Sequence, residues 1–257
     1  MRLYERTPFK HTGRTNKAKS QARSIVNLAD ESNQLNGSFF MSSIPTSIAE
    51  VYGPLSTEVT WLHGRWICYR QLFAGSAHRI DLLNECASNF FLIIQDVLID
   101  EVQVCLSKLT DPATTGKHEN LSFEQLQARL EKYGDAKLAA NNRATLDALQ
   151  LKAASFREWR NKQLAHLDLL TAMKSSLNPL PDISLEMVED ALELLRHYLN
   201  AIEIHYIGSE TGYEHFIMQS DGDALVAILR YGLRYEELLV EKKLSFEDTQ
   251  KSKWYDA

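Results

Sequence analysis

The sequence predicts an all-α protein, a bundle of four core helices with an extra helix toward the C-terminus, and two observations carry that expectation. From Leu55 onward, apolar residues recur at intervals of three and four, the spacing that gathers them on one face of a helix. No pair of runs alternates in the way that marks paired strands, and no segment repeats. With 257 residues, 44% hydrophobic and 24% charged, the chain can bury a sizeable core.

Residues 1–42 mix charge, Asn, Ser and Gly with few large apolar side chains and read as a disordered arm, inside which Met41 offers a start of its own. The first helix is expected from about Leu55, with Ser56-Thr57-Glu58 as its cap and Val59, Leu62, Trp66, Tyr69, Leu72 and Phe73 as its apolar stripe. After Gly75-Ser76 comes a longer helix, marked by Leu83, Ala87, Phe90, Phe91, Ile94, Val97, Leu98, Val102, Cys105 and Leu109 and stopped by Thr110-Asp111-Pro112. Its polar face (Asp81, Asn84, Ser88, Gln95) suits either a functional groove or plain solvation.

Ser122 with Glu124-Gln125 reads as a capped start to a helix that reaches about Lys132, where Tyr133-Gly134-Asp135 breaks it. A long helical stretch is expected from about Ala136 to Asp168 or beyond, and Asn178-Pro179-Leu180-Pro181 ends that region. Ser184 caps the next helix, with Leu185, Val188, Leu192, Leu195, Leu199 and Ile202 on its apolar face. A last helix is expected over residues 223–243. The resulting domain reading is an arm over 1–42, a helical domain over 43–207 and a helical extension over 208–257.

Several function classes drop out. No apolar run approaches the roughly 18–20 residues that span a bilayer, and the N-terminus lacks the apolar middle of a secretory signal, so a cytoplasmic protein away from membranes is expected. Cys68, Cys86 and Cys105 are odd in number and set in amphipathic runs, which points to reduced core residues rather than disulfides or a zinc site. The eight histidines form no H-E-x-x-H or paired ligand spacing, and His205 and His215 read as rim or core residues. There is no Gly-rich phosphate loop and no G-x-S-x-G elbow. Asp221-Gly222-Asp223 precedes an apolar helix and reads as a cap before a calcium loop, and Trp61 and Trp66 read as core. No metal or cofactor is expected.

The stretch that carries chemistry is Arg160-Asn161-Lys162-Gln163-Leu164-Ala165-His166-Leu167-Asp168. Arg160 offers a planar fork of donors that matches phosphate oxygens, and His166 has an unperturbed pKa of about 6.5 that suits proton transfer. Together they suffice to cleave RNA without a metal, one moving the proton of the 2′-hydroxyl while the other steadies the charge on the phosphate. The plainer account is a surface charge network with Glu158 and Asp168. On a straight helix the six-residue step leaves Arg160 and His166 about 120° apart. One site can use both only if the helix bulges or ends there, the arginine wraps around, or two protomers combine.

The segment resembles the R-x(4–6)-H signature of the HEPN superfamily, with Asn161 in the slot after the arginine. Tyr69-Arg70-Gln71-Leu72-Phe73, Arg79-Ile80-Asp81-Leu82-Leu83-Asn84, Leu109-Thr110-Asp111-Pro112-Ala113 and Ala165-His166-Leu167-Asp168 resemble the AbiU-type HEPN family linked to phage abortive infection, over roughly residues 55 to 207. The resemblance implies a HEPN-like bundle and a metal-independent endoribonuclease or toxin that acts in phage defence or stress. It also implies a symmetric homodimer in which two arginines and two histidines share one cleft. Arg160 and His166 would then be catalytic, leaving a 2′,3′-cyclic phosphate and a 5′-hydroxyl. Asn161, Lys162 and Asp168 would support them by orienting the arginine, touching the RNA backbone and fixing a tautomer. RNA, a second copy of the chain and an antitoxin or other protein are the expected partners. The alternative is a non-catalytic helical module that binds RNA, a nucleotide or a protein.

Charge is unevenly spread. Residues 1–24 hold seven basic side chains against Glu5, a net +6, so the other 233 residues carry −12 of the chain's −6 total. An acidic body repels nucleic acid at long range, so RNA contact must depend on a local cluster or on the arm. Lys152, Arg157, Arg160 and Lys162 against Glu158 give such a cluster, +3 within eleven residues.

Overall fold

A computed structural model describes residues 43–164, 182–245 and 247–248. The chain divides into two units, Met1–Ile44 and Pro45–Ala257, and the helices described here all lie in the second. The arm over 1–42 and the Asn178–Pro181 breaker lie outside the described residues.

The described chain is all-α. Seven α-helices succeed one another: α1 Thr46–Phe73, α2 Ala77–Leu109, α3 Phe123–Tyr133, α4 Ala136–Lys152, α5 Ala154–Trp159, α6 Leu185–Tyr206 and α7 Gly222–Val240. Helix α1 is the hub, packing against α2, α3, α6 and α7. Helix α6 lies along α4 with Val188, Leu192, Leu195, Tyr198, Leu199 and Ile202 fully buried, as its three-and-four spacing requires. Polar side chains tie the same layer: the Tyr198 hydroxyl donates to Gln127 Oε1 at 2.7 Å, and Asn142 Nδ2 donates to the Tyr198 carbonyl at 3.1 Å.

Three of the expected caps form: the Ser122 hydroxyl accepts from the Gln125 amide, Ser184 from Met187 and Asp221 from Ala224. Asp135, which the sequence marks only as part of a helix break, caps α4 by accepting from Lys137 and Leu138. Asp221 is therefore a helix cap, as expected. Among the described residues no group of three or more His, Cys, Asp or Glu is placed to hold a metal, and no helix is long and apolar enough to cross a membrane.

Five sequence expectations change. Helix α1 begins ten residues before Ser56 and carries Pro54 within it, so Ser56 bonds the Tyr213 hydroxyl at 2.9 Å instead of capping. Inside a helix proline loses its amide bond and crowds the carbonyl four residues earlier, a cost the buried face of Ile48, Tyr52, Leu55, Val59 and Leu62 outweighs. Helix α2 is bent where Ala87 leaves helical geometry, and Phe90, Leu92, Ile93 and Val97 stay exposed. In that stretch Leu83 and Phe91 face the core with Leu72 of α1 and Val226 of α7, while the opposite side has no cover among the described residues. A small hairpin, β1 Thr114–Thr115 with β2 His118–Glu119, pairs where the sequence predicts no strands. Its turn needs Gly116 at φ +62. Trp61 is 48% exposed with its ring edge-on to Phe216, whereas Trp66 is buried as expected. Finally, the helical stretch expected over 136–168 is interrupted: α4 ends at Lys152, α5 restarts after Ala153, and from Arg160 to Leu164 the backbone winds as a π-helix.

Candidate functional site

The C-terminus of α2 builds one wall of the site. Thr110 is buried, and its hydroxyl donates back to the carbonyls of Leu106 and Ser107, so the chain turns sharply into Asp111-Pro112-Ala113. Asn120 pins that loop, its side-chain amide donating to the Pro112 carbonyl at 2.8 Å and its backbone amide to Ala113. The opposite wall is α5 and the π-helical turn, anchored by Phe156, which is fully buried. Both elements pack on α2.

Between these walls lies a cavity of about 530 Å³ lined by Thr110, Asp111, Pro112, Ala113, Glu124, Gln150, Arg157 and Arg160. Arg160 reaches it from the first residue of the π-helical turn. Its Nη1 donates to both Asp111 oxygens at 2.9 Å, and its Nε makes a longer 3.3 Å bond to Asn161 Oδ1. Nη2 has no partner among the described residues. Arg157 sits one turn earlier: Nη1 donates to Gln150 Oε1 at 2.7 Å and to the Thr110 hydroxyl at 3.1 Å, and Nη2 to the Gln150 carbonyl at 2.8 Å. Burial pulls the Arg157 guanidinium below its ordinary value, Asp111 opposing this and Arg160 adding to it. Even so lowered, an arginine stays charged near neutrality. Gln150 completes the floor by donating to the Thr110 carbonyl at 3.0 Å and to Glu124 at 3.2 Å.

Of the expected site residues, Arg160 lines the cavity and Asn161 lies exposed beside it, touching Arg160 Nε. Lys162 Nζ is 2.7 Å from Glu158 and does not line the cavity. His166 and Asp168 lie outside the described residues. The basic cluster is split, because Lys152 pairs with Asp190 on α6 at 2.6 Å, leaving Arg157 and Arg160 at the cavity. The polar face of α2 takes no part: Asp81, Asn84 and Ser88 are exposed near the far end of the helix, and Gln95 is not among the lining residues.

Sequence reasoning misses Asp111, Gln150 and Glu124 as site residues. In the sequence Asp111 reads only as part of a helix stop, although a Thr-Asp-Pro stop places a carboxylate where a long helix ends. Gln150 and Glu124 leave no such signal, because they meet only through folding.

The π-helical turn bears on the 120° problem. Wider winding runs from Arg160 to Leu164, so straight-helix geometry does not govern that stretch, and single π turns occur often at functional sites. A bulge near the motif is one of the routes by which a single helix can serve both ends of the R-x5-H element.

Fold and site together define an all-α domain with a guanidinium-lined polar cavity where its longest helix ends. The chain belongs to the HEPN AbiU2 family, whose sequence model matches residues 47–226. None of the curated proteins and none of the solved structures compared with the chain matches it.

Proposed function

We propose that the protein is a metal-independent endoribonuclease of the HEPN toxin type, acting on cytoplasmic RNA in phage defence or a stress response. In this reading Arg160 holds the scissile phosphate and His166 moves the proton of the 2′-hydroxyl or of the leaving oxygen, with Asn161, Lys162 and Asp168 in support. The observation that carries it is Arg160 itself, on the wall of a polar cavity with Nη1 anchored by Asp111 and Nη2 without a partner among the described residues. Membership of the HEPN AbiU2 family supports the same reading.

The working form is a homodimer. Support comes from the exposed apolar side chains of α2, Phe90, Ile93 and Val97, which fall on one helical face and suit burial against another surface. An antitoxin or other protein is a further partner that such a face would fit.

The competing reading is a binding module for RNA, a nucleotide or a protein without catalysis, favoured by the fact that Arg160 is already ion-paired. Incubation of a mixed-sequence RNA with the protein in EDTA separates the two. The ribonuclease reading expects cleavage to 2′,3′-cyclic phosphate and 5′-hydroxyl ends, lowered about 10²–10⁴-fold in His166→Ala. Arg160→Lys should also fail, because an ammonium cannot reproduce the two-pronged phosphate contact. Folded wild-type protein that binds RNA and never cleaves it would select the binding module.

A further inference from the structure

Charges in the cavity are unevenly paired. Asp111 faces Arg160, and Glu124 pairs at 3.0 Å with Arg143, which Glu131 and Asp147 share. Arg157 has no carboxylate within ion-pair distance among the described residues, since its partners are the Thr110 hydroxyl and two neutral oxygens of Gln150. A partly buried cation with no counter-charge in contact carries a desolvation cost that a bound anion would offset.

Donor counting sharpens the point. A guanidinium has five N–H bonds; Nη1 of Arg157 uses both of its own and Nη2 uses one. Nε–H and the second Nη2 N–H have no partner among the described residues. Two donors in one guanidinium plane suit two oxygens of a phosphate. Arg157 and Arg160 are three positions apart, a separation that puts helical neighbours roughly 5–6 Å from each other at Cβ.

We propose that Arg157 forms a second phosphate subsite, holding the backbone phosphate next to the one that Arg160 contacts, so that the cavity takes a strand with at least two phosphates rather than a mononucleotide. The inference rests on the reading of this cavity as a phosphate site for RNA. Lys152 and Lys162 cannot fill the role, because each is paired with an acid away from the lining.

The test uses the full chain and two uncleavable 2′-O-methyl uridine dinucleotides, one with only the internal phosphodiester and one with an added 5′-phosphate, titrated by calorimetry at several salt concentrations. Wild type should bind the two-phosphate probe roughly tenfold more tightly, with a salt slope steeper by about 0.7. Arg157→Gln should erase both differences. Equal affinities in wild type, or an unchanged preference in Arg157→Gln, would overturn the subsite. Should circular dichroism show Arg157→Gln unfolded, Arg157→Lys takes its place: it keeps the charge without the fork, so the preference should shrink, and an undiminished preference would overturn the proposal. RNA cleavage is scored separately. A preference without cleavage keeps the subsite and sinks the ribonuclease, whereas cleavage without a preference does the reverse.

Discussion

Asp111 holds Arg160 by a single nitrogen: Nη1 lies 2.9 Å from each carboxylate oxygen, and both side chains are about three-quarters buried, at 22% exposure for the arginine and 26% for the aspartate. The carboxylate comes from the stop of α2 and the guanidinium from the start of the π-helical turn, so the pair joins the two walls of the cavity. It fixes where the arginine points, and it also places a negative charge beside the oxygens of any incoming phosphate.

Those two effects oppose each other in binding and combine in catalysis. In Asp111→Asn, RNA binding should tighten because a like charge is gone, while turnover should fall by up to about 10²-fold because Arg160 is no longer held in register. Steady-state kinetics should therefore show KM and kcat falling together. A raised KM at unchanged kcat would show that Asp111 only aids binding.

Phe156 is the fully buried anchor of α5, a helix of six residues that carries Arg157 and leads into Arg160. Phe156→Ala should cost about 3–5 kcal/mol in urea unfolding. RNA binding should weaken under conditions in which the variant is still folded, since the cavity wall loses its support. Full binding by the folded variant would mean that α5 is held by its neighbours alone.

Tyr52 on α1 donates to the buried Glu203 carboxylate on α6, which also accepts from the Thr211 hydroxyl at 2.9 Å. Burial first, and then the neighbouring Tyr213 and Glu203, push the Tyr52 hydroxyl far above its ordinary value, so it stays a donor at any working pH. Tyr52→Phe leaves the carboxylate one donor short and should cost about 1–3 kcal/mol. The site is built from other elements, so RNA affinity should hold. Chemical denaturation and a binding titration on the same sample check both halves.

His63 predicts a pH dependence. It is 3% exposed, Nδ1 lies 2.9 Å from the Val59 carbonyl, and Nε2 has no partner among the described residues. Desolvation lowers its pKa below the ordinary 6.5, outweighing the bond to Val59. Between the folded and unfolded pKa values the unfolded chain binds the extra proton, so the contribution of His63 is present above about pH 6.5 and is lost as pH falls below it. One proton allows a slope of at most about 1.4 kcal/mol per pH unit. Unfolding free energies from pH 7.5 to 5 should drop less steeply in His63→Gln than in wild type, and parallel curves would exclude this histidine as the cause.

Taken by itself, the sequence determined what depends on near neighbours along the chain. Ser122, Ser184 and Asp221 cap their helices because a short polar side chain reaches the amide three residues on. The stripe from Val188 to Ile202 is buried because its period is helical, and Arg160, singled out by residue type and motif, lines the cavity. Tertiary structure decided what depends on distant partners. Pro54 is carried inside α1 because packing outweighs the lost hydrogen bond and the crowded carbonyl. Phe90 and Val97 stay exposed because periodicity says which face is apolar and not whether anything covers it. The cavity unites Asp111, Glu124 and Gln150 with Arg157 and Arg160, although 49 positions separate Asp111 from its arginine. Local pattern holds no record of such a meeting, because the free energy that fixes it comes from burying α2 against α5.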